Sequence, residues 1–234
     1  MKKLLFILIA SLFIISGCNK TKKFTVTMDL FDADGQTVYL CKSVGLEQVC
    51  IDSTVFQGKN AVLKADFDDP QILYFIKFDL DDQCGYVPFF TENQNTTISG
   101  VRDDMPHWTI YGCQTMNDLT DFHKKSLELY EDSIMEYYAV VADAYMIGDT
   151  VKAAEFAEKI EPLVSGYYEY QIDFIKSNAG RYLGHYMLDE FKHDFDIETV
   201  KRIEAGFTNE SVYRDNVKKF IEEYEEEDDM MDNL

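Results

Sequence analysis

Phe24-Thr25-Val26-Thr27-Met28-Asp29-Leu30, with the turn-forming Asp32-Ala33-Asp34-Gly35 behind it, is the stretch that decides the fold. Phe24, Val26, Met28 and Leu30 alternate with Thr25, Thr27 and Asp29. That period of two belongs to a strand burying one face. Two aspartates and a glycine then supply the side-chain acceptors and backbone freedom a tight reversal needs. Thr37 to Lys42 makes the returning strand, so the segment predicts a hairpin. Outward from it the same rhythm recurs in Gln48 to Phe56, Ala61 to Phe67 and Gln71 to Leu80, the last dense enough in Ile72, Leu73, Tyr74, Phe75 and Ile76 to be a central strand. Tyr86 to Thr91, Thr96 to Ser99 and Trp108 to Tyr111 complete about eight short strands, a spacing that predicts an antiparallel sandwich.

Near Asn117 the period changes. Leu119, Phe122, Leu127, Tyr130, Ile134, Tyr137, Val141 and Tyr145 recur every three to four residues, which predicts one long amphipathic helix ended by Gly148-Asp149. A second runs from Thr150 to Asn178 with Val151, Ala154, Ala157, Ile160, Val164, Tyr168 and Phe174 as its stripe, and Pro162 is expected to kink it. Shorter helices follow over Arg181 to Lys192, from Asp196 as N-cap to Gly206, and from Asn209 as N-cap into Glu222–Glu227. The acids of Glu225 to Asp229 oppose the negative end of a helix dipole, so the tail is expected to fray. The fold class is therefore α+β, an N-terminal antiparallel β-sandwich (24–115) followed by a helical region (116–224) and an acidic disordered tail (225–234).

Lys2 and Lys3, an apolar run from Leu4 to Ile15, and Ser16-Gly17-Cys18 form a secretory leader of the lipoprotein type. The run is shorter than the roughly 20 apolar residues that span a bilayer. The reading is a signal peptide over 1–17, a lipidated Cys18 and a short tether over 18–23, giving a membrane partner through the anchor. Lys20, Lys22 and Lys23 stand where they would meet anionic headgroups, although a solvated tether explains them equally. The whole chain of 234 residues carries a formal charge of −21, which argues against nucleic acid as a partner. Residues 19–112 hold 8 basic and 14 acidic side chains, whereas 113–234 hold 12 and 29.

Besides Cys18, four cysteines remain: Cys41, Cys50, Cys84 and Cys113. An even count in an exported chain permits two disulfides. Cys41 with Cys50 is favoured because both fall in strands joined by a short loop containing Gly45, and Cys84 with Cys113 follows by elimination. Buried free thiols are the competing reading. Asp52-Ser53-Thr54, Asp132-Ser133-Ile134 and Asp149-Thr150-Val151 fit an acidic-hydroxyl-apolar O-glycosylation pattern, with Ser53, Ser133 and Thr150 as acceptors. His185, Asp189 and His193 share the i, i+4, i+8 spacing of metal ligands, but the stripe drifts by about 40° per step, and a solvated face is the expected reading. No metal or cofactor is expected. His107-Trp108 reads as an edge of the β-core rather than a stacking site. Tyr137, Tyr138, Tyr145, Tyr167, Tyr168 and Tyr170 read first as helix-to-helix packing and second as a sugar- or peptide-binding surface.

The first strand with Asp32-Ala33-Asp34-Gly35 and Val38-Tyr39-Leu40, then Ile51-Asp52-Ser53, Pro88-Phe89-Phe90-Thr91-Glu92, Thr97-Ile98-Ser99-Gly100, Ile110-Tyr111-Gly112 and Asn117, resembles the DUF4369 family. The resemblance covers roughly residues 24–115, and the segment through Phe174-Ile175-Lys176-Ser177-Asn178 is similar to the helical hairpin that follows this domain in its relatives. It implies a Bacteroidetes lipoprotein. The thioredoxin-like domain with a Cys-x-x-Cys pair that usually comes next in the family has no counterpart before Leu234, so none of its thiol chemistry is carried to a residue here. Cys113 stands where the family pattern has Ser or Thr.

No Gly-x-Ser-x-Gly elbow, His-Glu-x-x-His pair or phosphate-cradling glycine loop occurs in the sequence. The expected function is a non-catalytic binding or interaction module of the cell envelope with an envelope protein or peptide partner. Without acidic residues directly after Cys18, the expected side is the periplasmic face of the outer membrane. The alternatives are an accessory factor in envelope thiol-disulfide metabolism and a hydrolase with an unrecognised site.

Overall fold

The computed structural model describes residues 22–44, 47–78 and 86–232. Eight strands form two four-stranded sheets: β1 (Lys23–Phe31), β2 (Thr37–Val44), β3 (Glu47–Val55), β4 (Asn60–Asp66), β5 (Tyr74–Phe78), β6 (Tyr86–Phe89), β7 (Thr96–Val101) and β8 (Thr109–Tyr111). One sheet has the order β4-β1-β7-β8 and the other β3-β2-β5-β6. All pairings are antiparallel except β1 with β7, which run parallel, Met28 opposite Ile98. The sandwich is thus mostly antiparallel.

The alternation of β1 sets its packing. Phe24, Val26, Met28 and Leu30 are fully buried against Val38, Leu40, Leu63 and Ile76, while Thr25, Thr27 and Asp29 face away. β5 begins at Tyr74 rather than Gln71, because the Asp69 carboxylate accepts the Gln71 N–H (2.8 Å) and its carbonyl the Ile72 N–H (3.2 Å), closing a turn there. β6 ends at Phe89, since the Phe90 amide leaves the ladder for Met116 Sδ at 3.3 Å. β3 departs furthest from expectation. It sits at a sheet edge, and Val49 and Val55 are exposed. Trp108 lies over Gly100, where a Cβ would stand 2.6 Å from the indole, and its Nε1–H donates to the Val101 carbonyl at 2.7 Å.

The first predicted helix is continuous but has two α-segments, α1 (Gln114–Ser126) and α2 (Asp132–Met146), joined by a π-turn over Leu127–Glu131. It starts before Asn117, whose side chain accepts the Gly112 N–H (3.0 Å). α3 (Thr150–Ser177) continues through Pro162. α4 (Tyr182–Phe191), α5 (Ile197–Glu204) and α6 (Val212–Asp232) complete the chain. Asp196 caps α5 by accepting the Thr199 N–H at 2.8 Å. Ser211, not Asn209, caps α6, accepting the Arg214 N–H at 3.1 Å, while Asn209 instead donates to the Gly180 carbonyl. The acidic tail does not leave the helix at Glu225: α6 runs on to Asp232. Glutamate is a good helix former, and Lys201 of α5 offsets Glu225 at 2.6 Å.

A single hydrophobic core joins the sandwich to the helices. Phe90, Cys113, Met116, Leu119 and Phe122 pass it from the strands to Ile175, Leu183, Tyr186 and Val217. A polar seam runs beside it, in which Thr115 and Tyr182 both donate to Glu92 (2.6 and 3.0 Å) and Arg181 pairs with Asp118. α1 runs back along β8, with Thr120 bonded to Ile110 and His123 beside Trp108. The hand-over to α2 therefore falls at the end of the sandwich where β1 finishes, since Phe31 pairs with Val101 and a short 3-10 turn (Met105–His107) follows. Lys23 marks the opposite end.

Candidate functional site

α2 and α3 form an antiparallel hairpin closed by Gly148, whose φ of +76° needs a glycine, and by Asp149, which accepts the Lys152 N–H at 3.0 Å. Ala144 and Ala153 are buried between the helices, small enough to let the backbones approach. Tyr137 meets Phe156 edge-on at 5.4 Å, and Tyr130 stacks on Tyr167 at 5.9 Å. Lower down, Phe122 stacks on Tyr170 and Tyr168 meets Phe195, which ties the hairpin's root into the main core.

Towards its tip the apolar stripe loses its cover. Leu119 and Phe122 are buried and Tyr137 half-buried, but Tyr145 is 62% exposed; on α3, Ile160 is buried and Val151 is 79% exposed. Tyr138, Val141, Ala157, Ile160, Val164 and Tyr168 line an open groove of about 590 Å³ between the two helices. Glu161 and Glu169 stand along its α3 side. Neither forms an ion pair among the described residues. Two helices make one layer and can bury only the faces they turn to each other. The tyrosines expected as internal packing are thus divided, Tyr137, Tyr167 and Tyr170 packing as expected while Tyr138 and Tyr145 face outward. Contiguous exposed apolar area is uncommon on a folded protein and is found at interaction surfaces and ligand grooves. The stripe was legible in the sequence; its missing cover, and the acids beside it, were not.

At the hairpin's root, the His123 carbonyl (3.0 Å) and the Glu131 carboxylate both lie within reach of the single Ser126 hydroxyl proton. Tyr167 stands beside them, its hydroxyl pushed up to about 12 by burial and then by the Glu131 charge. His107 Nδ1 lies 2.6 Å from Asp104 and its Nε2 3.7 Å from Asp132 at the start of α2. The hydrogen bond with Asp104 raises its pKa above the ordinary 6.5. A smaller cleft of about 370 Å³ opens beside it between Trp108, His123, Lys124 and Leu127. Trp108 itself is buried against Phe78, as an edge of the core.

The other residues singled out by sequence are scattered. Cys41 and Cys50 face each other across β2 and β3 and are bonded. The second expected pairing is not formed: Cys113 is a free, buried thiol contacting the Phe90 carbonyl, and Cys84 lies outside the described residues. Burial pushes the Cys113 thiol pKa up, away from the reactive thiolate. Cys18 and the leader also lie outside the described residues. Ser53 on β3 and Thr150 at the hairpin tip are exposed, and Ser133 is half-buried in α2. His185 is not on a solvated face. It is sealed in the core, where Ser211 Oγ lies 2.8 Å from Nδ1 and the Ala179 carbonyl 3.3 Å from Nε2. The carbonyl can only accept, so Nε2 carries the proton and Ser211 donates to Nδ1. Asp189 is held by Lys192 and Asn216, and His193 meets Phe220 edge-on. Among the described residues, no group of three or more His, Cys, Asp or Glu could hold a metal ion.

The molecule is of the α+β class, a mostly antiparallel β-sandwich carrying a helical region whose hairpin bears an open groove. Residues 23–119 match the family described as "Domain of unknown function (DUF4369)". The match takes in the sandwich and the start of α1, and the groove lies beyond it. Neither a curated protein nor a solved structure shows a match to the chain. No helix among the described residues is long and apolar enough to cross a membrane.

Proposed function

We propose that the protein is a non-catalytic binding module of the cell envelope, fastened by lipid at Cys18 on the periplasmic face of the outer membrane, and that it engages its partner through the α2–α3 hairpin. The observation that carries this reading is the outward-facing groove, with Tyr138 and Val164 55% and 43% exposed and Met146 and Ile147 at the tip more so. A surface of this kind costs solubility unless something covers it. The leader-like residues before Cys18 and the bonded Cys41–Cys50 pair support an oxidising, exported setting. The buried Cys113 thiol speaks for binding over thiol exchange.

The test is site-specific photocrosslinking in intact envelopes, with a photoreactive phenylalanine at Tyr138 on the hairpin or at Val62 on the sandwich, both exposed. A discrete crosslinked species from Tyr138 and none from Val62 is expected. Equal or absent crosslinking at the two positions overturns the reading. The anchor is checked on the same material by intact mass: a chain beginning at Met1 without acyl mass removes it.

A further inference from the structure

We infer that the hairpin groove takes an amphipathic helix with a cationic polar face, donated by a protein partner. This deepens the proposed function and rests on it.

Shape gives the first argument. The lining residues of α3 run from Ala157 to Glu169 in steps of three and four, a span of about 18 Å at 1.5 Å per residue. Tyr138 and Val141 give α2's wall the same step. A furrow between two helices, lined at that spacing, is complementary to the side-chain ridge of a third helix, whose anchors at i, i+3 or i+4, and i+7 would enter it as helix-in-groove ligands do. An extended peptide, by contrast, seeks an open strand edge and offers nothing to pair with in a wall of helices.

Charge gives the second. Glu161 and Glu169 border the groove, and Glu158 and Asp173 are exposed on the same helix, none of them in an ion pair among the described residues. Lys159 of that helix pairs with Glu155, and its other cations, Lys152 and Lys176, sit near the helix's two ends and do not line the groove. A ligand helix carrying Lys or Arg beside its apolar stripe would place cations against this row. A second copy of this chain, at −21 overall, would bring acid to acid. An anionic lipid surface is repelled for the same reason.

The probe is a fluorescent Leu/Lys peptide of about 18 residues, long enough as a helix to cover the groove, with its apolar residues at helical spacing. Its controls are the same composition scrambled, and a Leu/Glu peptide of the same pattern. Each is titrated by anisotropy against the full chain in zwitterionic nanodiscs, with empty nanodiscs as background. The patterned Leu/Lys peptide is expected to bind at least about tenfold more tightly than either control, and Val164→Asp to weaken it by about tenfold or more. Glu161→Gln with Glu169→Gln should weaken it less and flatten its salt dependence. All three substituted side chains are exposed, so circular dichroism should show the fold retained. Equal binding of the scrambled peptide, indifference to Val164→Asp, no binding at all, or a dimer of the free protein in sedimentation overturns the inference. Should any of these occur while Tyr138 still crosslinks in envelopes, only the occupant's chemistry fails; the binding role falls with the crosslinks alone.

Discussion

His185 shows what a single residue's surroundings do to its chemistry. On a helical wheel it shares a face with Asp189 and His193, and the pattern suggests solvent; in the fold, Phe207 covers its ring at 4.2 Å between centroids and both nitrogens have partners. Burial lowers its pKa below the ordinary 6.5. In the unfolded chain the ring takes a proton near 6.5. The unfolded state therefore binds more protons between that value and the lower folded one, so this residue's contribution is complete above 6.5 and is lost as the pH falls below it. His185→Gln should cost about 1–3 kcal/mol at pH 7.5 by leaving Ser211 or Ala179 without its partner. It should also flatten the decline in stability between pH 7 and 5, read from denaturant midpoints; an unchanged slope would show that other groups carry that dependence. No periodicity analysis finds such a histidine, because the elements that bury it are contributed by α6 and the loop before it.

At the scale of elements, β3 is the strand with the least packing to hold it. Its side chains are mostly exposed, and beyond its ladder with β2 it is held by the Cys41–Cys50 bond, by the Asp52 carboxylate accepting the Lys64 N–H of β4 (2.7 Å) and by Ile51 packed on the core. The bond closes a loop with a sequence separation of 9 residues. Cys41→Ser with Cys50→Ser is expected to cost about 2–3 kcal/mol by freeing the unfolded chain. The loss should be local in hydrogen exchange, with Val49 to Val55 exchanging faster while β1 stays protected; uniform acceleration across both sheets would contradict this. Elements are also where the sequence was most informative. Alternation located all eight strands because most bury one face, and the 3.6-residue stripes located the helices. The parallel β1–β7 contact escaped, since a strand's alternation is the same whichever way its neighbour runs. The Ser211 cap escaped because Asn209, two residues earlier, is as good a capping residue in isolation. The groove escaped for a different reason: a stripe states that a face is apolar and not how many layers cover it.

For the whole molecule, the continuous core predicts one unfolding event. Phe90 packs edge-on against Tyr182, Tyr186 and Tyr213 of the helical region, and the Glu92–Thr115–Tyr182 contacts cross the same seam. Trp108, the sole tryptophan, is buried in the sandwich, whereas far-UV dichroism is dominated by the helices. Fluorescence and dichroism should therefore give coincident denaturation curves. Separate midpoints would mean that the two regions fold apart and that the seam is weaker than its contacts suggest.

The placement of the hairpin root and of Lys23 at opposite ends of the sandwich also sets a distance. With Cys18 seated in a bilayer, five residues of linker allow at most about 17 Å. β1 then spans about 30 Å, and α2 adds up to about 22 Å beyond. With the anchor proposed at Cys18 and β1 upright on the bilayer, the hairpin tip would ride several nanometres clear of the lipid headgroups, a boom rather than a belly, and would meet molecules that never touch the membrane itself.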